Sequence, residues 1–260
     1  MTYLLAVLAG AIQGLTEFLP ISSTGHLIIF EKIFGISQEQ FGLAFDASLH
    51  LGTLVAVLIF FFRDYLKVLN FKNGLLLKLI IGTVPAAIAG YFLEDKLNTV
   101  FRQIWIVAAG FIFFSAVLYL AEKYGKKSAK YEKVSNLNSL VIGIFQTFAL
   151  LPGVSRSGST ISAGLFLGLK RDEAARFAFM LSGPIIAGAG LKTFVQVAFG
   201  GNLDSSDFNF FIVGIISSAV FGFLTIKYFL RYLSTKSLYP FIFYRVAVGL
   251  ILLLVLLLNR

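Results

Sequence analysis

Two short stretches hold most of the residues in this 260-residue chain that could do chemistry. "EFLPISSTGH", residues 17–26, gathers Glu17, Ser22, Ser23, Thr24 and His26 around a proline and a glycine, and Gln13 stands one turn ahead of Glu17. "LPGVSRSGST", residues 151–160, supplies Ser155, Arg156, Ser157 and Thr160 around another proline and glycine. A carboxylate, an imidazole, hydroxyls and a guanidinium are the parts of a phosphoryl-transfer site. In such a site a hydroxyl or imidazole attacks, a cation and hydrogen-bond donors hold the charged oxygens, and an acid protonates the leaving group. The planar fork of arginine matches phosphate or carboxylate. These residue types fit both hydrolysis of a phosphorylated substrate and transport of an anion.

The elements that position them belong to an integral membrane protein. The chain is 58% hydrophobic and only 13% charged, about half the charged share of a soluble domain, and its mean hydropathy is +0.87. So few charges cannot cover the surface of a soluble fold. The absence of cysteine excludes disulfides, thiolate nucleophiles and thiolate-bound metals. The N-terminus lacks a basic leader region, so the first apolar segment is expected to be retained.

Six stretches are long enough to cross the roughly 30 Å hydrocarbon core as helices: 43–62, 75–93, 104–121, 174–199, 208–230 and 238–258. Regions 3–34 and 137–169 differ, because each has two short apolar arms separated by Pro20 or Pro152 and a polar cluster. Proline ends a helix near its own position, so each region reads as helix, break, helix. Residues 13–25, "QGLTEFLPISSTG", and 146–158, "QTFALLPGVSRSG", share the positions of Gln, Ser and Gly. This predicts one membrane domain, 1–260, built from an internal repeat whose halves run over about 1–121 and 137–258.

Each broken region followed by three spans makes the second half inverted relative to the first. One set of loops carries Arg63, Lys67, Lys72, the lysines from Lys123 to Lys133, Lys170, Arg171, Arg176, Arg231 and Lys236. The other set carries Lys32, Lys96, Arg102 and Arg260, and the loop "GGNLDSSDFN" has no basic residue. The positive-inside rule puts the first set in the cytoplasm and both termini outside. The net charge of +9 therefore reports orientation, and nucleic acid is not expected as a partner.

Arms too short to cross are expected to dip to the midplane and return, bringing the two polar tips together. Each second arm then aims a helix N-terminus, with free amides and a Ser or Thr cap, into a shared space that attracts anions. The pairs Gly10 and Gly14, and Gly164 and Gly168, would let the arms pack closely. Asp46 and His50, four apart on the first long span, would line a vestibule open to the outside. Lys78 and Lys192 lie near span ends and are expected to snorkel. Arg245, deeper in "YRVAVG", has no assigned role from the sequence.

The paired motifs, over essentially the whole chain, closely resemble the bacterial undecaprenyl-diphosphate phosphatase family associated with bacitracin resistance. The resemblance implies an enzyme of the bacterial plasma membrane that dephosphorylates the polyprenyl diphosphate left by cell-wall synthesis, returning the monophosphate carrier and inorganic phosphate. It implies Glu17, Ser23, His26 and Arg156 as the catalytic set, with Gln13, Ser22, Thr24, Ser155, Ser157 and Thr160 lining the phosphate pocket. Where some members carry a second glutamate one turn before Glu17, this chain has Gln13. A two-carboxylate metal site is thus not expected, and a divalent cation, Mg2+ or Ca2+, would be held by Glu17 and the diphosphate itself. On this reading Ser23 attacks phosphorus, His26 shuttles the proton, Glu17 orients His26 or a metal, and Arg156 stabilises charge, with attack by His26 as the alternative. The six spans and two re-entrant pairs of that family agree with the reading above. A secondary transporter or lipid flippase of the same architecture is the rival function. The type-2 phosphatidic-acid phosphatases are set aside, because the histidine they need six residues after the arginine is Ser162 here. A homodimer is compatible with the sequence, which does not decide the oligomeric state.

Because the chain has no cysteine, single cysteines report its orientation. An impermeant thiol reagent on intact cells should label Ser206→Cys and spare Lys130→Cys; the opposite pattern would invert the topology.

Overall fold

Proline and glycine punctuation divides the chain into helices. The computed structural model describes residues 3–36, 43–68, 74–98, 100–199 and 205–258, and the regular elements among them are helical. They are α1 (Tyr3–Phe18), α2 (Ser23–Phe34), α3 (Leu43–Phe60), α4 (Phe62–Val68), α5 (Leu75–Asn98), α6 (Ile104–Tyr124), α7 (Asn136–Phe148), α8 (Arg156–Phe166), α9 (Arg171–Phe199), α10 (Ser205–Leu233) and α11 (Tyr239–Leu258). Lys72, Arg260 and most of the basic-free loop near 200–204 lie outside the described residues, as do the side chains of Lys96 and Lys192.

Among the described residues four helical stretches are long and apolar enough to cross a membrane: Leu75–Leu93, Ile104–Tyr124, Asn209–Leu233 and Tyr239–Leu258. The two other expected spans are helical but differ in kind. In α3 the described apolar part, Phe45–Phe60, is shorter than a span. Helix α9 opens on Arg171, Asp172 and Glu173, and its first half is enclosed by protein, with Ala174, Phe177, Phe179 and Leu181 all buried. Beyond Pro184 it opens out, and Gly188 and Ala189 are exposed.

The broken regions give short helices. Helices α1, α2, α7 and α8 have 16, 12, 13 and 11 residues, or about 17–24 Å each at 1.5 Å per residue, less than the roughly 30 Å of hydrocarbon. The arms pack reciprocally: α1 lies against α10 and α7 against α5, while α3 meets α9 and α6 meets α11. The halves are therefore interleaved and share one core, centred on Phe18, Phe61, Phe179 and Ile161.

Close approach explains two glycines. A Cβ on Gly14 would come within 2.6 Å of backbone atoms of Gly222 and Ser218 on α10, and one on Gly143 within 2.5 Å of the Gly82 carbonyl on α5. In the second half close contacts are made by Gly143 and by one member of the pair singled out from the sequence. Gly164 packs on α9, where a Cβ would come within 2.9 Å of the Ala174 Cβ, but Gly168 has φ +87° and nothing crowding it. It serves the turn out of α8, where its carbonyl accepts the Ser128 and Ala129 amides.

At the lysine-rich end an ion network ties α4 to α9. Arg176 Nη2 donates to Asp64 at 2.5 Å and Lys67 Nζ at 3.0 Å. Burial works against charge on Asp64, but Lys67 and Arg176 outweigh it and hold the carboxyl below its ordinary value. The pairing therefore persists at mildly acidic pH and fades only as pH falls through that lowered value.

Overpacking a tight helix contact costs about 1–3 kcal/mol. Gly14→Leu should lower the melting temperature in detergent, whereas Gly188→Leu, with open space around it, should not. Equal melting of the two variants would contradict the α1–α10 contact.

Candidate functional site

The site grows out of the two breaks. Helix α1 ends at Phe18 and α2 begins at Ser23; α7 ends at Phe148 and α8 begins at Arg156. Immediately before each second arm stands a serine in nearly the same rare backbone state, Ser22 at φ 70°, ψ 96° and Ser155 at φ 72°, ψ 114°. Positive φ at a residue with a side chain costs about 1–3 kcal/mol. Each serine offsets part of that by capping, since Ser22 Oγ accepts the Gly25 amide at 3.3 Å and Ser155 Oγ the Gly158 amide at 3.1 Å.

The tips are also bonded to each other. The Gly153 amide donates to Ser22 Oγ at 3.1 Å, and Ser157 Oγ donates to the Leu19 carbonyl at 2.8 Å. With Gly25 and Gly158 capped, the amides of Ser23 and Thr24 on α2, and of Arg156 and Ser157 on α8, are the first-turn donors of two adjacent helix ends that have no intrahelical acceptor.

Glu17 is the hub. Its Oε1 accepts from Arg156 Nη2 at 2.6 Å. Its Oε2 accepts from Ser23 Oγ at 2.5 Å and Gln13 Nε2 at 3.0 Å, and lies 3.6 Å from His50 Nε2. One buried carboxylate thus collects groups from α1, α2, α3 and α8. Arg156 Nη1 is buried and has no hydrogen-bond partner among the described residues, which leaves one arm of the fork unused.

The two histidines have distinct settings. His50 takes its place from the Asp46 carbonyl, 2.8 Å from Nδ1, while the Asp46 carboxylate turns away to Arg102 Nη2 at 3.0 Å. The same Arg102 nitrogen reaches Glu31 at 3.1 Å, so Asp46 belongs to a latch joining α2, α3 and the turn before α6. His26 has its Nδ1 2.7 Å from the Ser22 carbonyl and its Nε2 2.6 Å from the Tyr244 hydroxyl. No contact between His26 and Glu17 is recorded among the described residues, so the expectation that Glu17 orients His26 is replaced by this pairing with Ser22 and Tyr244. Ser155 and Ser157 share a hydrogen bond at 3.1 Å, and Thr24 is half-buried in the first turn of α2. Thr160 spends its hydroxyl on the Arg156 carbonyl of its own helix at 2.7 Å.

A family described as "Bacitracin resistance protein BacA" matches residues 6–251. The chain belongs to this BacA family. It is similar to the undecaprenyl-diphosphatase of Rubrobacter xylanophilus, 44% identical over 258 residues covering 94% of each chain. It is also similar to that of Thermodesulfovibrio yellowstonii, 44% identical over 92% of each chain, and to that of Desulforudis audaxviator, 40% identical over 97% of each chain.

In this BacA family member the donor set does not fit a resident divalent cation. Among the described residues no three His, Asp or Glu side chains converge as a metal site. Both oxygens of Glu17 are taken by protein donors, one of them a guanidinium.

Arg245 on α11 is the residue that the sequence left without a role. It is fully buried and meets no carboxylate among the described residues. Its Nε donates to Ser115 Oγ at 3.2 Å, Nη1 to the Pro20 carbonyl at 3.0 Å, and Nη2 to the carbonyls of Gly110 at 3.2 Å and of Gly153 and Val154 at 3.0 Å each. One guanidinium therefore clasps both breaks and α6. Its depth in an apolar helix is visible in sequence, but backbone acceptors are not.

A lysine at this position keeps the charge but has a single nitrogen, and each buried acceptor left unmet costs about 1–3 kcal/mol. Arg245→Lys should therefore lower the melting temperature clearly. A variant that melts like the parent would refute the clasp.

Proposed function

We infer that this chain is an undecaprenyl-diphosphate phosphatase, releasing inorganic phosphate from the terminal position and returning undecaprenyl phosphate to peptidoglycan synthesis, with bacitracin resistance as the consequence. The observation that carries the reading is Glu17 held between the Ser23 hydroxyl at 2.5 Å and the Arg156 guanidinium at 2.6 Å, at paired helix N-termini. Similarity to the undecaprenyl-diphosphatases above supports the substrate.

In this reading the terminal phosphate takes the unused arm of Arg156 and the first-turn amides of the two helix ends. Glu17 accepts the proton of Ser23 as Ser23 Oγ bonds to phosphorus and the anhydride P–O bond breaks. The prenyl monophosphate leaves, and water then hydrolyses the phosphoserine. The prenyl phosphate leaves as an anion, and His26 Nε2 takes a proton from the water that hydrolyses the phosphoserine; attack by its imidazole, giving a phosphohistidine, is the alternative. A divalent cation, Mg2+ or Ca2+, would come bound to the diphosphate and would meet Glu17 only by displacing one of the protein donors on its oxygens.

The same reading keeps six crossings, two re-entrant pairs in an inverted repeat, and a site open to the outer face with both termini outside. Arms shorter than the hydrocarbon, the matched Ser22 and Ser155, and the reciprocal packing of α1 and α7 support it. Each chain carries the whole residue set, so a homodimer would not be needed to complete the site.

Purified protein in detergent should release phosphate from prenyl diphosphates, and Arg156→Lys should lose about tenfold or more because the fork is lost while the charge stays. Trapped phosphoenzyme should map to Ser23, and label on His26 would move the nucleophile. Substrate flux across sealed vesicles without phosphate release would overturn the reading in favour of a transporter or flippase.

A further inference from the structure

The two ring nitrogens of His26 are not equivalent, and the difference can be read from their partners. The Ser22 carbonyl, 2.7 Å from Nδ1, only accepts, so Nδ1 carries a proton. In the neutral ring Nε2 then holds the lone pair and accepts the O–H of Tyr244 at 2.6 Å. Nε2 is the atom that would take a proton or attack phosphorus, and Tyr244 sits directly on it.

The contact is built into the fold. The Tyr244 and His26 rings stack at 8° with centroids 5.7 Å apart, and Phe111 meets the imidazole edge-on at 5.7 Å. Tyr244 precedes Arg245, whose bonds to Pro20, Gly153 and Val154 pin this turn of α11 to the breaks. Successive helical residues point about 100° apart, so the anchor faces inward and Tyr244 faces the flank, 43% exposed. The hydroxyl is therefore set by the register of α11.

We propose that Tyr244 is a positioning residue for the phosphatase reaction, acting through His26: with the Ser22 carbonyl it selects the Nδ1–H tautomer, and it keeps the Nε2 lone pair aligned at the site edge until a phosphate oxygen takes its place. The proposal rests on the role given to His26 above. It makes the tyrosine hydroxyl matter to turnover rather than to folding or to capture of the lipid.

The test compares Tyr244→Phe, Tyr244→Leu and His26→Gln by phosphate release from a prenyl diphosphate, with melting temperature recorded for each. Tyr244→Phe keeps the stacked ring and removes only the O–H; kcat should fall about tenfold or more while KM stays within about twofold and melting is unchanged. Tyr244→Leu should lose at least as much kcat. Wild-type kcat in Tyr244→Phe beside an impaired His26→Gln would overturn the tyrosine proposal alone. A Tyr244→Phe defect confined to KM or to melting would also overturn it, by assigning the residue to binding or packing. Wild-type turnover in His26→Gln would remove the role of His26 and the proposal with it.

Discussion

A positive charge sealed inside the protein without a counter-charge is the constraint on which this architecture turns. Burial of an isolated ion costs several kcal/mol even after relaxation, and Arg245 escapes that cost only by collecting backbone oxygens from separate parts of the chain. Pro20, Gly110, Gly153 and Val154 each present a carbonyl to it, with the Ser115 hydroxyl alongside. Three of those positions, Pro20, Gly153 and Val154, are available acceptors because proline and glycine interrupt the helices there. The breaks thus provide the ligands of the guanidinium, and the guanidinium holds the breaks together.

The electrostatics of the site follow. Arg156 pairs with Glu17 while Arg245 sits beneath both breaks on backbone carbonyls, so the two guanidiniums and the one carboxylate leave an excess of one positive charge, reinforced by the first-turn amides of two helix ends. An anion is favoured there, and a tightly shared carboxylate keeps Arg156 from remaining an unpaired charge before one arrives. Arg102 plays a similar part further out, where one of its nitrogens bridges the carboxylates of Glu31 and Asp46. Low dielectric around these groups makes each pairing consequential.

What the sequence made legible was punctuation and residue type. Pro20, Pro152 and the repeated Gln, Ser and Gly positions located both breaks, and the hydroxyls beside Arg156 marked the chemistry. The partners of His26 and Glu17 were not legible, because Tyr244 comes from α11 and His50 from α3, and nothing in their spacing announces either neighbour. The role of Arg245 was hidden for a stronger reason: its ligands are main-chain oxygens, which every residue has. Hydrophobic length marked α3 and α9 as spans but did not show which face each one buries: α3 buries Leu49, Ala56 and Val57 while leaving Val55, Leu58 and Ile59 exposed, and α9 is buried over its first half. Glycine pairs were similarly ambiguous, and Gly168 turned out to serve a turn.

Ser22 and Ser155 share a backbone geometry, but the positions measured from them do not share side chains. Five residues ahead of Ser22 is Glu17, and the corresponding place ahead of Ser155 is Leu150; the residue following Ser22 is Ser23, and its counterpart is Arg156. The main chain is duplicated while the charge is not. Acid and cation therefore come from opposite copies, so neither half is chemically self-sufficient. Any molecule that engages the carboxylate and the guanidinium together is reading the seam between two copies of one motif.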